Sequence, residues 1–80
     1  MARVRKHTEL NALKGKIREE QTSYEEVAIK MGIETATLSN KINGYTAFNV
    51  SEVERLVEIL NIDVKNINYY FFPDMLRNAN

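Results

Sequence analysis

Apolar residues recur along this chain at spacings of three and four, and they do not alternate with polar ones, so the pattern predicts helices rather than strands. Leu10, Leu13 and Ile17 share one stripe, with Lys14, Lys16 and Arg18 outside it, which predicts a first helix from about Thr8 to Glu20. Tyr24, Val27, Ala28 and Met31 complete an i, i+3, i+4, i+7 face. Ser23 precedes them, with Glu26 three residues on, in the order of a capping box, and Gly32 follows at the position where a helix end favours positive φ. Leu38 and Ile42, one turn apart, predict a short third helix over residues 35–43 that Gly44 ends. A polar loop over residues 45–50 leads to Ser51, read as the cap of a fourth helix with Glu54 as its partner; Val53, Leu56, Val57 and Leu60 form its stripe. A fifth helix is expected from Asp63, carrying Val64, Ile67 and Phe71, with residues 73–80 as a C-terminal tail. Five short helices with tight connections cannot each bury a face alone, so they must pack as one all-α domain spanning residues 1–80.

The join between the second and third helices carries the most information. Three residues, Gly32-Ile33-Glu34, separate Met31 from Thr35, which forces a sharp angle between two packed helices. The outward side of the third helix is then Thr35, Ala36, Ser39, Asn40 and Asn43, with Lys41 beside it. These side chains are short and rich in hydrogen-bonding groups, and Ala36 offers a methyl group. Asn pairs with adenine, Ser and Thr bond several base edges, and a methyl packs against thymine. An ordinary solvated helix face carries Glu/Lys pairs instead, as the fourth helix does with Glu54, Arg55 and Glu58.

The stretch from Leu10 to Ile62 resembles the Cro/repressor-type, XRE-like helix-turn-helix family, especially its short phage and prophage regulators. The matching pieces are Ser23-Tyr24-Glu25-Glu26-Val27-Ala28, Met31-Gly32-Ile33 at the turn, Thr37-Leu38-Ser39, and the closing Asn43-Gly44. The resemblance implies a compact five-helix, lambda-repressor-like domain with its helix-turn-helix over residues 24–43. It also implies a cytoplasmic, DNA-associated transcriptional regulator, acting as a homodimer on a near-palindromic double-stranded operator. Base reading then falls to Thr35, Ala36, Ser39 and Asn40. Phosphate contacts fall to Tyr24 at the start of the second helix, and to Asn43 and Thr46.

Charge adds to this picture. The net charge is zero, but the first 18 residues hold six basic side chains against Glu9 alone, a net of +5, and the remainder carries −5. The third helix lacks Arg, so cationic phosphate contacts are expected from Lys41 and from a basic N-terminal arm over residues 1–7 with Arg3, Arg5 and Lys6. The aromatic run Tyr69-Tyr70-Phe71-Phe72 cannot all face one side of a helix, so Tyr70 and Phe72 are candidates for a dimer interface.

Other chemistries find little support. The chain has no cysteine, and His7 is its only histidine, so disulfides and His- or Cys-based metal sites are excluded. No glycine-rich phosphate loop or paired acid and base stands out, so neither an enzyme, a cofactor nor a small-molecule substrate is expected. The apolar runs fall far short of the roughly 20 residues that cross a membrane. Two rival readings keep the same fold: a protein-interaction module without DNA binding, and the antitoxin of a toxin–antitoxin pair.

Overall fold

The computed structural model describes residues 4–78. Within them lie six α-helices and one 3-10 turn, with no strand: α1 Asn11–Glu19, α2 Tyr24–Met31, α3 Thr35–Ile42, α4 Val50–Ile59, the turn Val64–Asn66, α5 Ile67–Phe71 and α6 Pro73–Asn78. The radius of gyration, 12.4 Å, is close to the roughly 12 Å of a compact chain of this length. Helix α2 packs against α3 and α4, while α1 bridges α3 and α5. Leu13, Leu38, Ile42, Leu56, Leu60 and Val27 are fully buried at the centre. The stripes read from the sequence supply most of this core.

Four of the helices end in the same way. After α1, α2, α3 and α4, one residue takes positive φ (Gln21, Gly32, Gly44 and Asn61), and its N–H and that of the next residue turn back onto carbonyls of the last turn. After α2, Gly32 N–H donates to Ile29 O and Ile33 N–H to Ala28 O, which fixes the angle at which the chain enters α3. Ser23 caps α2 as expected, accepting from Glu26 N–H at 3.2 Å.

Four expectations are corrected. Helix α1 starts at Asn11 rather than Thr8, because the segment before it is drawn across the molecule: Leu10 N–H donates to Ile42 O, and the Thr8 hydroxyl to Asp74 Oδ2 at 2.6 Å. The cap of α4 is Asn49 with Glu52, a complete capping box, and Ser51 lies inside the helix. In this register Glu52 can also pair with Lys41, 3.1 Å away, whereas Glu54 is exposed. Asp63 caps only the 3-10 turn, so Val64 stays exposed while Ile62, not placed in any stripe, is buried. The expected tail is helical: Pro73 ends α5 and also occupies the first position of α6, where its missing N–H costs nothing. A helix count of five therefore becomes six among the described residues.

Candidate nucleic-acid interface

Helix α3 buries Leu38 and Ile42 completely and turns its other side outward. Thr35, Ala36 and Thr37 are exposed, and Ser39, Asn40 and Asn43 are half-buried. The Asn43 amide donates to Ser39 Oγ at 3.3 Å, so these two side chains form one hydrogen-bonding surface. Thr37 shares this outward side and was missing from the candidate readers; helical geometry about the Leu38–Ile42 stripe was enough to find it. Glu34 precedes the helix in extended conformation, exposed, and its side chain caps no N–H. Tyr24, at the start of α2, is half-buried against the core.

The loop after α3 is built around Lys41. Its ammonium donates to Ala47 O at 2.9 Å, pairs with Glu52 at 3.1 Å and lies 5.9 Å from the centre of the Phe48 ring. Side-chain exposure of Lys41 is 14% and of Glu52 17%, so the pair is largely withdrawn from solvent. Phe48 in turn stands edge-on to Phe71 of α5, with ring centres 5.8 Å apart. Lys41 thus ties the loop to α4 and to the core, and its charge is already matched. Thr46 and Ala47 remain exposed at the loop's apex.

The N-terminal segment does not extend away from the body. Lys6 and His7 both donate their backbone N–H to Gly44 O, at 3.0 and 2.9 Å. Arg5 Nε donates to Asn43 O, and the guanidinium stacks over Tyr45, 5.2 Å from the ring centre. Arg5 also pairs with Glu9 at 3.5 Å, and Glu9 accepts from Lys14. That bond from Lys14, together with its charge and that of Arg5, holds the Glu9 carboxyl below its ordinary value. Lys16 pairs with Glu19 and Glu20, so among the described basic side chains before residue 19 Lys6 and Arg18 make no ion pair. Arg5 and Lys14 share Glu9, which the net of +5 already counts, so these pairs bring in only Glu19 and Glu20 and the segment stays basic. Arg3 lies outside the described residues.

The aromatic run divides as its spacing requires. Phe71 is buried, Tyr70 packs partly against the core, and Tyr69 and Phe72 are 57% and 41% exposed. Met75 and Leu76 of α6 are also exposed, at 60% and 49%; Phe72 and Met75 line one surface pocket and Tyr69 and Leu76 another. No group of acidic or histidine side chains able to hold a metal occurs among the described residues. Nor is any described helix long and apolar enough to cross a membrane.

The family described as protein of unknown function (DUF739) has a model that matches residues 8–74, most of the chain. No curated protein matches it.

Proposed function

We propose that this chain, which belongs to the DUF739 family, binds duplex DNA through α3 and acts as a transcriptional regulator. One observation carries the reading. An eight-residue helix with two fully buried side chains presents short polar and methyl-bearing groups on its open side, directly after a three-residue turn from α2. Such a helix fits the major groove, which is about 12 Å wide. The resemblance to Cro/repressor-type regulators supports it: α2 and α3 then form the helix-turn-helix of a five-helix domain, to which α6 is an addition. Thr35, Ala36, Thr37, Ser39 and Asn40 face base edges, and Asn40 is the strongest candidate because an amide pairs with adenine in two places. Tyr24, Asn43, Thr46 and Lys6 are assigned to phosphates.

The exposed side chains Tyr69, Phe72, Met75 and Leu76 are assigned to a homodimer, together with the half-buried Tyr70, which stands edge-on to Tyr69. Two copies would place two α3 helices on successive major-groove faces about 34 Å apart.

Selection of bound sequences from random duplex DNA tests the whole reading. The expected result is a near-palindromic site, with affinity falling by about 0.9 log unit per log unit of salt for each phosphate contact. In gel shifts, Asn40→Ala should cost about 1–3 kcal/mol of discrimination at one base pair and little on scrambled DNA. A pool that enriches nothing after repeated rounds removes the proposal. The internal ion pairs of Arg5, Lys14, Lys16 and Lys41 favour a second reading, a protein-interaction module on the same fold; it predicts no enrichment and no salt slope.

A further inference from the structure

At the C-terminal end of α3, each backbone carbonyl from Ser39 to Gly44 has a donor. Three of these donors are local: Asn43 N–H to Ser39 O, Tyr45 N–H to Asn40 O and Gly44 N–H to Lys41 O. The other three carbonyls are satisfied from more than 30 residues away in sequence. Leu10 N–H reaches Ile42 O, Arg5 Nε reaches Asn43 O, and Lys6 and His7 N–H share Gly44 O.

 The backbone N–H groups of Lys6 and His7 thus act as a pair on one acceptor, and the Arg5 charge sits where the helix dipole is negative. Gly44 leaves no room for anything larger: a Cβ there would lie 2.2 Å from His7 O and 3.0 Å from Arg5 Cγ.

We propose that Arg5 is a positioning residue for the DNA-reading surface. With residues 6–10 it clamps the end of α3 and the turn after it, holding Asn40, Asn43 and Thr46 in register, and it does not serve as a phosphate contact. The inference rests on the reading of α3 as the DNA-binding helix. A guanidinium is suited to the task because it donates to Asn43 O at Nε while its plane stacks on Tyr45. A lysine keeps the charge but supplies neither the planar stack nor the donor at that position.

The test compares Arg5→Ala, Arg5→Lys and Lys6→Ala in the full chain, on the selected DNA site and on a scrambled duplex, across a salt series. If Arg5 positions α3, both Arg5 variants lose about tenfold on the selected site, the equivalent of one hydrogen bond from a charged donor. Their salt slope stays that of the unmodified chain, and their preference over scrambled DNA falls. Lys6→Ala instead lowers the slope by about 0.9 with preference intact. Amide exchange on the free protein adds a readout independent of DNA: the Lys6 and His7 amides should be protected in the unmodified chain and lose protection in both Arg5 variants. The proposal is overturned alone if the unmodified chain binds its site and Arg5→Lys restores full affinity, or if Arg5→Ala lowers the slope as Lys6→Ala does. An unmodified chain that selects no DNA overturns the reading of α3 and the role of Arg5 together, whatever the exchange rates show.

Discussion

Gly32 and Gly44 offer a controlled comparison, because both close a helix in the left-handed region, at φ +74° and +90°, but in different surroundings. A Cβ added at Gly32 meets nothing within 4 Å, while one at Gly44 would run into the His7 carbonyl. Alanine at either site pays for left-handed backbone, about 1–2 kcal/mol. It also recovers about 0.4–1 kcal/mol by restricting the unfolded chain. Both terms apply equally to the two variants and cancel in their difference. Gly44→Ala must in addition push the N-terminal segment away, which breaks the Lys6 and His7 bonds to Gly44 O. At about 1 kcal/mol per bond, the extra loss is about 2 kcal/mol.

Urea unfolding followed by far-ultraviolet circular dichroism measures this directly. Gly32→Ala should lose about 1 kcal/mol and Gly44→Ala about 3, with thermal midpoints about 8–16 °C apart for a domain of this size. Equal losses in the two variants would refute the docking of the N-terminal segment as a source of stability. An excess loss of Gly44→Ala over Gly32→Ala that persists after residues 1–7 are deleted would do the same, since the obstructing carbonyl is then gone.

Two further predictions concern single side chains. The Thr22 hydroxyl is buried with no hydrogen-bond partner among the described residues, so Thr22→Val should stabilise the fold by about 1 kcal/mol in the same assay, and a loss of stability would show that the hydroxyl has a partner after all. Glu9 is held below its ordinary value chiefly by its bond from Lys14, and Glu20 chiefly by its bond from Asn61. A carboxyl depressed in the folded state contributes stability that is present above its unfolded value, about 4.3, and is lost as pH falls through the folded value. Glu9→Gln should therefore flatten the acid limb of the stability profile below about pH 5, and an unchanged limb would show that the Lys14 bond adds nothing.

What was legible in the sequence was local. The α2 and α3 boundaries follow from side-chain periodicity and from Ser23, Gly32 and Gly44, whose effects reach only a few residues. The register of α4 was less determined, because Asn49-x-x-Glu52 and Ser51-x-x-Glu54 overlap and both satisfy the capping pattern. The choice between them is settled by Lys41, a contact across the loop that no local pattern contains. The docking of residues 5–10 was invisible for a stronger reason: its bonds run mainly between backbone groups, and these carry no residue-type signal. For the candidate site, the outward side of α3 could be read from Leu38 and Ile42, but the environments of Lys41 and Arg5 could not. Both look like free cations in the sequence, and both are engaged in the fold.

That engagement changes where DNA affinity has to come from. Each phosphate contact contributes through counterion release, and with Arg5, Lys14, Lys16 and Lys41 paired internally, Lys6 is the one cation among the described residues that is assigned to a phosphate. A single copy on a half-site would then bind weakly, with a shallow salt slope. Two consequences follow from the proposal. The first is that rigidity matters more than charge: clamping the end of α3 before binding removes an ordering cost that would otherwise be taken from the affinity. The second is that the exposed side chains Tyr69, Phe72, Met75 and Leu76 become the main determinant of affinity, because joining two weak half-site contacts makes the second intramolecular. Phe72→Asp should accordingly abolish both dimerisation in sedimentation and site binding in gel shifts, while leaving the helical spectrum intact. If the variant sediments as a monomer yet binds the full site with undiminished affinity, the contribution assigned to dimerisation is wrong, and the missing charge must be supplied by groups other than those placed here.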